Sequence, residues 1–376
     1  MTLPHIVVLG AGYTGLTTAK LLARRTGATV SLVNERDWFV ERMRNHQRAT
    51  GQRLRHTPLH DLLQGTGIRL VVDRATHLDL ERRQVELASG AEPVGYDLLV
   101  YALGSHADLN AVPGAATHAH AIAGAEQAAR LRERMRTAAT VAVVGGGPTG
   151  IETAAELAET YPDCTVRLAT SGTLGVALSE RGWQHLHQSF DRLGIQVREH
   201  ARVARVAADG LLLEGGEHID ADAVAWTAGF QVPPLAREAG LAVGDNGRML
   251  VDGTMRSVSH PEVYGIGDAA GARKRDGQEL RMGCGPGGLT AVVAVRAIGD
   301  RLAGHPPRPL RVEGDGLCIS LGRKDGLLQR IDRDGNPQGR VLTGRLAAMV
   351  KEAVLRGTMY GQRNPTFTYV AASRQT

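Results

Sequence analysis

The residues that carry the most chemical meaning in this chain are glycines. Gly10, Gly12 and Gly15 follow the order Gly-x-Gly-x-x-Gly with Ala11, Tyr13 and Thr14 between them, and Gly145, Gly147 and Gly150 repeat it with Gly146, Pro148 and Thr149. In such a turn the first glycine permits the tight bend, the second lets the main chain approach a pyrophosphate, and the third lets helix and strand pack closely. The ligand's negative charge then rests on unpaired amides at the positive end of the helix. The chemistry expected is the binding of two dinucleotides.

The elements that must position these turns can be read around them. His5 to Leu9 is a short apolar strand run ahead of the first turn, with a helical stretch from Leu16 to Arg25 after it; Thr140 to Val144 and Ile151 to Glu159 do the same for the second. One such match in isolation is a weak signal, whereas two in a strand, turn and helix context are strong. Thr29 to Val33 reads as the next strand, and Glu35, followed by Arg36, falls 20 residues past Gly15. A carboxylate there accepts hydrogen bonds from ribose hydroxyls. The same count from Gly150, past the strand Thr165 to Ala169, reaches Thr170, followed by Ser171 and Gly172. No acid stands there to repel a 2′-phosphate, so either NADH or NADPH is expected as the second nucleotide.

Three further strands complete a flavoprotein pattern. Tyr96 to Ser105, through Gly104, and Ala221 to Phe230, through Gly229, each read as a strand ending in a small-residue turn where the chain crosses between domains. Val263 to Ala270 is a strand ending in Gly267-Asp268, and a carboxylate at that end beside a flavin ribityl chain can bind its hydroxyls. The fold expected is α/β, with two Rossmann-like dinucleotide-binding domains; the resemblance of these residues to flavoprotein reductases implies that they hold FAD and NAD(P)H and adds a small C-terminal α+β region.

Composition excludes several other classes. With 376 residues, 43% of them apolar and 22% charged, the chain reads as a multi-domain globular protein, neither disordered nor fibrous. Cys164, Cys284 and Cys318 are far apart and contain no Cys-x-x-Cys pair, which argues against a disulphide framework, a zinc site or a thiol redox pair. No metal site is expected. The net charge is +5, and Lys20, Lys274, Lys324 and Lys351 are the chain's four lysines, the other basic residues being arginine. Scattered among acids, this charge reads as a solvated surface, and nucleic acid is not an expected partner. No apolar run reaches the ~18 residues of a membrane span. A cytoplasmic protein is expected, with peripheral contact at the inner face of a membrane as the second possibility.

These residues together resemble the two-dinucleotide-fold flavoprotein reductases, and within them the type II NADH:quinone oxidoreductases and the apoptosis-inducing-factor-like group that includes ferroptosis suppressor protein. The likeness extends through Val143 to Glu152, Ala155-Glu156-Leu157, Tyr161-Pro162 and Ser320 to Gly326. It implies a discontinuous FAD domain, residues 1–112 and 245–300, an NAD(P)H domain, 113–244, inserted between, and a C-terminal region, 301–376. It carries over Glu35 and Asp268 as FAD contacts and Glu152 as a residue near the nicotinamide. It also makes Gly285 to Thr290, with Gly287 and Gly288, a turn facing the flavin before a helix from Ala291 to Gly299. The quinone oxidoreductases usually have an Ala-Gln pair where this chain has Gly287-Gly288, which leaves the acceptor open. Disulphide reductases of this fold place two cysteines in the stretch that is here Trp38 to His56, and this chain has none there.

The activity implied is an FAD-dependent NAD(P)H oxidoreductase with a quinone or quinone-like acceptor. The other readings are a reductase of a ferredoxin-type protein or a specialised small molecule, and a flavin-binding signalling protein with vestigial turnover. Flavin chemistry asks for positioning more than for side-chain acids or bases, and no obligatory catalytic residue is assigned. The stretch Arg42 to His56, with five arginines, reads either as a contact for FAD phosphates or an anionic substrate, or as a solvated helix face. Residues 345–356 put Leu346, Met349, Val350, Ala353 and Val354 on one helical stripe. That stripe suits either a membrane-surface helix or one packed on the protein's own core.

Overall fold

The computed structural model describes residues 3–274, 276–310, 314–332 and 336–366. The last ten residues of the expected C-terminal region lie outside that set. Two five-stranded parallel sheets form its centre. The first runs, in spatial order, Val263–Gly265, Leu98–Tyr101, His5–Leu9, Thr29–Asn34 and Arg69–Val72. The second runs Gln196–Arg198, Thr165–Ala169, Thr140–Val144, Ala223–Trp226 and Ala119–Ala121. In each, the strand before a glycine turn is the middle one.

The middle strands are apolar throughout because both their faces are covered. Successive side chains point to opposite faces, so Ile6 and Val8 join one core and Val7 and Leu9 another. Val141 and Val143 part from Ala142 and Val144 in the same way. Helices cover one face of each sheet. Small three-stranded antiparallel sheets, Ala75–Asp79 with Gln84–Leu87 and Val94–Gly95, and Val203–Ala207 with Gly210–Leu213 and His218–Asp220, are the other layers.

The two crossings between units touch each other. His106–Ala107 pairs antiparallel with Phe230–Gln231, and the turns before them use Gly104 and Gly229 at positive φ, +68° and +66°. After the first sheet closes at Gly265, the helix Cys284–Leu302 packs along Tyr13–Arg25. Three antiparallel strands, Gly314–Ser320, Gly326–Asp332 and Pro337–Thr343, and the helix Gly344–Arg363 complete the chain. Asp325, between the first two of these strands, accepts from His185, Ser189 and Arg192 of the helix Glu180–Arg192, at 2.8, 2.8 and 2.7 Å. That cluster fastens the C-terminal strands to the second unit.

Candidate functional site

The two glycine turns have the same build. Gly10 sits at φ +95°, and a Cβ there would lie 2.6 Å from the Ala102 carbonyl oxygen; Gly145 sits at φ +118°, and a Cβ there would lie 2.7 Å from Thr227 Oγ1. At Gly15 and Gly150 a Cβ would collide with the carbonyl oxygens of Gly10 and Gly145. At Gly12 and Gly147 nothing lies within 4 Å of that position. The first and third glycines are therefore demanded by the protein itself, while the second faces open space. Each helix starts immediately after its open glycine, Tyr13–Arg25 and Pro148–Thr160, and neither Gly12 nor Gly147 supplies a side-chain cap. A bare helix N-terminus beside open backbone is a cradle that fits a pyrophosphate.

The carboxylate position is fixed by register. The Gly10 N–H donates to Val33 O and the Gly145 N–H to Ala169 O, both at 2.8 Å. Val33 therefore matches Ala169, Asn34 matches Thr170, and Glu35 matches Ser171. The expectation that Thr170 occupies the ribose-acid position is corrected by one residue, because the second copy is one residue longer between its first two strands. Thr170 is buried beneath the turn, where a Cβ at Gly146 would lie 2.6 Å from its Oγ1. Its counterpart Asn34, which sequence reasoning did not single out, clamps the first turn: Oδ1 accepts from the Ala11 N–H and Nδ2 donates to Arg36 O, each at 2.8 Å. Glu35 is half exposed and paired with Arg36, whose Nε also reaches Glu126 of the second unit at 2.8 Å.

Thr14 marks where the first turn meets the rest of its unit. A Cβ at Gly267 would lie 2.9 Å from Thr14 Oγ1, and one at Gly287 2.9 Å from Thr14 Cγ2. Gly285 to Thr290 is not a turn before a helix, as expected, but the helix's own first turns, since the helix begins at Cys284. Gly287 there allows close packing on Thr14, while Gly288 has open space beside it. Asp268 follows its strand as expected. Its carboxylate accepts from Ser105 Oγ at 2.7 Å and from the Gly283 N–H at 2.8 Å. Arg42 donates to Ser105 O and Oγ at 2.5 and 3.1 Å and lies over the Phe230 ring. Burial lowers the pKa of its guanidinium, and Asp268 opposes that shift. The first part of this segment, residues 42–49, is thus a junction piece with Asn45, His46 and Ala49 buried, whereas Arg53, Arg55 and His56 face solvent.

Glu152 lies where the first unit, the second unit and the C-terminal region converge. Its Oε1 accepts from Lys351 Nζ at 2.8 Å and from the Ser320 N–H at 3.0 Å, and its Oε2 lies 3.8 Å from His46 Nδ1. Burial works to raise the carboxyl's pKa, but Lys351, His46 and the two hydrogen bonds outweigh it and hold the group below its ordinary value. Lys351 moves the other way: burial opposes its charge, Glu152 more than compensates, and the ammonium titrates above its usual range. His46 is pushed down by burial. Lys351 also donates to Cys318 O at 2.6 Å. Sequence reasoning passed over Lys351 and His46; the available signal was a lone lysine in a helix whose other cations near it are arginines.

Tyr13 packs edge-on against Phe39, with ring centroids 5.0 Å apart, and burial followed by Glu41 raises its hydroxyl's pKa. Gln362 Nε2 donates to Tyr13 O at 3.3 Å, and Lys20 Nζ donates to Gln362 O and Arg363 O at 2.6 and 3.0 Å. The C-terminal helix is therefore tied at Lys351 to the second fingerprint helix and at its end to the first. Its apolar stripe does not pack on the core. Leu346, Met349 and Val354 are 56%, 69% and 49% exposed, as is Tyr360 at 56%.

Residues 4–297 match the pyridine nucleotide-disulphide oxidoreductase family. The chain is 30% identical over 345 residues to an NADH dehydrogenase-like protein of Mycobacterium tuberculosis, covering 85% of this chain and 86% of that one. It is 26% identical over 396 residues to the demethylphylloquinone reductase of Synechocystis, covering 97% and 93%. Its fold is similar to that of the sulfide:quinone oxidoreductase of Aquifex aeolicus, with a TM-score of 0.82 at 20% identity, over 96% of this chain and 92% of that one.

Proposed function

The chain belongs to the pyridine nucleotide-disulphide oxidoreductase family, and we propose that within it this protein is an FAD-dependent NAD(P)H dehydrogenase that reduces a quinone. The observation that carries the reading is the paired cradle: two turns of one build, each open only at its second glycine. FAD, when bound, supplies two-electron transfer between a nicotinamide and an acceptor.

The chain's own residues bind and orient. The amides after Gly12 take the first pyrophosphate and Glu35 the adjoining ribose; those after Gly147 take the second nucleotide, with Ser171 beside its ribose. Arg42, Ser105 and Asp268 form a hydrogen-bonded chain that fixes the carboxylate for a polyol. Glu152 stays ionised beside Lys351, so a negative charge and a proton-bearing ammonium stand together at the junction of the units. The pair carries a single titratable proton, on the Lys351 ammonium. No cysteine lies between Trp38 and His56, so the acceptor is not a disulphide in that segment. The similarity to a demethylphylloquinone reductase supports a quinone instead.

The outward stripe Leu346, Met349 and Val354 supports peripheral contact with a membrane. Among the described residues no helix is long and apolar enough to cross one.

Anaerobic mixing with NADH or NADPH is expected to bleach the bound flavin, and a short-chain quinone to restore its colour. Fast bleaching with no quinone reoxidising the protein faster than oxygen does would refute the quinone assignment.

A further inference from the structure

Beside the exposed stripe, a groove of about 470 Å³ opens between residues 41–57 and the C-terminal helix Gly344–Arg363. Five guanidinium groups line it, from Arg44, Arg53, Arg55, Arg356 and Arg363. Two carboxylates share it, and both are engaged: Glu41 with Arg44 at 3.4 Å, and Glu352 with Arg44 and Arg356 at 2.9 and 2.8 Å. Arg53, Arg55 and Arg363 are exposed and have no carboxylate within ion-pair distance among the described residues. Five cations against two anions leave the groove an excess of three positive charges.

The rest of the lining is not that of a purely ionic site. Leu54, Met359 and Tyr360 also face the groove, and Tyr360 is one of the exposed apolar residues of the helix. At 100° per residue, Arg356 and Arg363 lie on the flank next to Met349 and Tyr360. The groove therefore continues directly into the stripe.

We infer that this groove binds the phosphate headgroup of an anionic phospholipid while the adjoining stripe enters the membrane surface. The inference rests on the membrane contact proposed above and adds the lipid class and the residues that select it. A guanidinium fork matches phosphate oxygens in a bidentate way that an ammonium cannot, and all five cations here are arginines. A helix with an apolar face flanked by basic residues is the form that lies in a bilayer interface. A single apolar anchor binds reversibly and weakly, and a basic patch beside it supplies the second signal that makes attachment stable. Each basic residue near an anionic surface contributes about 1 kcal/mol, roughly a fivefold gain in binding. Three uncompensated arginines therefore predict binding to acidic vesicles about a hundredfold tighter than to neutral ones at low salt.

The test is co-sedimentation of the FAD-loaded protein with vesicles of phosphatidylcholine alone and of phosphatidylcholine mixed with phosphatidylglycerol. Wild type is expected to bind the mixed vesicles far more tightly and to lose most of that advantage in high salt. The triple variant Arg53→Gln, Arg55→Gln, Arg363→Gln is expected to bind both vesicles alike while retaining turnover of a soluble quinone. Leu346→Ser with Met349→Ser is expected to weaken binding to both. Equal wild-type binding to the two vesicles overturns the headgroup site and leaves the membrane contact standing; no binding to either overturns both. Protection against unfolding by inorganic phosphate, lost in the triple variant and without vesicle binding, would make the groove a site for a soluble anion and overturn the lipid assignment. The salt dependence of the wild type answers the question even if the triple variant does not fold.

Discussion

Lys351 Nζ donates to Glu152 Oε1 at 2.8 Å across 199 residues of sequence, and the same ammonium donates to Cys318 O. One cation thus joins the second fingerprint helix, the C-terminal strands and the C-terminal helix. Glu152 adds a backbone bond from Ser320 and approaches His46 of the first unit. This pair therefore ties the first unit, the second unit and the C-terminal region together.

Removing one partner should cost more than removing both. Lys351→Met leaves Glu152 buried without its cation, and the expected loss is about 3–5 kcal/mol in urea unfolding. Adding Glu152→Gln should recover part of it. The pH dependence has a definite sign. The Glu152 pKa is depressed in the folded protein, so its contribution is complete above the unfolded carboxyl value and is lost as pH falls through the folded one. Wild type should therefore lose stability on acidification more steeply than Lys351→Met. Equal slopes would mean that the pair contributes nothing.

Lys20 titrates the opposite way from Lys351. It is 3% exposed, and burial with help from Arg24 lowers its pKa from 10.5 to about 8. Between those values the unfolded chain holds a proton that the folded one has released, so this group's contribution to stability rises with pH. The slope it adds is at most about 1.4 kcal/mol per pH unit. Lys20→Met should remove that rise, so the two stability curves converge or cross between pH 8 and 10. Parallel curves would show that Lys20 is not perturbed.

The open glycines allow the two cradles to be blocked separately. Gly12 and Gly147 have φ of −71° and −75°, which any residue adopts, and both face open space. Gly147→Val should give a folded yellow protein whose reduction by NAD(P)H is slowed about a hundredfold, or ~2.7 kcal/mol. Gly12→Val should purify without FAD. A yellow Gly12→Val protein, or a Gly147→Val protein bleached at the wild-type rate, would place the pyrophosphates elsewhere.

How much of this is legible in the sequence depends on how local the determinant is. The strands His5–Leu9 and Thr140–Val144 and the glycines after them are set by neighbouring residues, and their bounds in the structure match those read from the chain. The helix start at Cys284 is different. Gly283, Gly285, Pro286, Gly287 and Gly288 look like turn chemistry, yet the segment is helical from Cys284 and packs Gly287 on Thr14, a contact distant in sequence. The Lys351 pair and the Arg42, Ser105 and Asp268 chain likewise join segments that no periodicity connects. Lys20, buried, and Lys351, partly buried, are two of four lysines whose meaning appears only once their carbonyl and carboxylate partners are in view.

Register also determines which substitution should control nucleotide choice. Counting from the third glycine points to Thr170, but the bond from the Gly145 N–H to Ala169 O, matched against that from Gly10 to Val33, makes Ser171 the counterpart of Glu35. Thr170 is buried against Gly146 and has no room for a longer side chain, whereas Ser171 is exposed. A carboxylate at 171 would accept from the ribose hydroxyls of NADH and repel the 2′-phosphate of NADPH. Wild type should use NADPH at least comparably with NADH, and Ser171→Glu should shift the ratio of kcat/KM toward NADH by tenfold or more, ~1.4 kcal/mol. Thr170→Glu should lower stability instead, because its carboxylate would be forced beneath the turn. If Ser171→Glu leaves the ratio unchanged while Thr170→Glu folds and shifts it, the residue-by-residue match between the two copies is wrong.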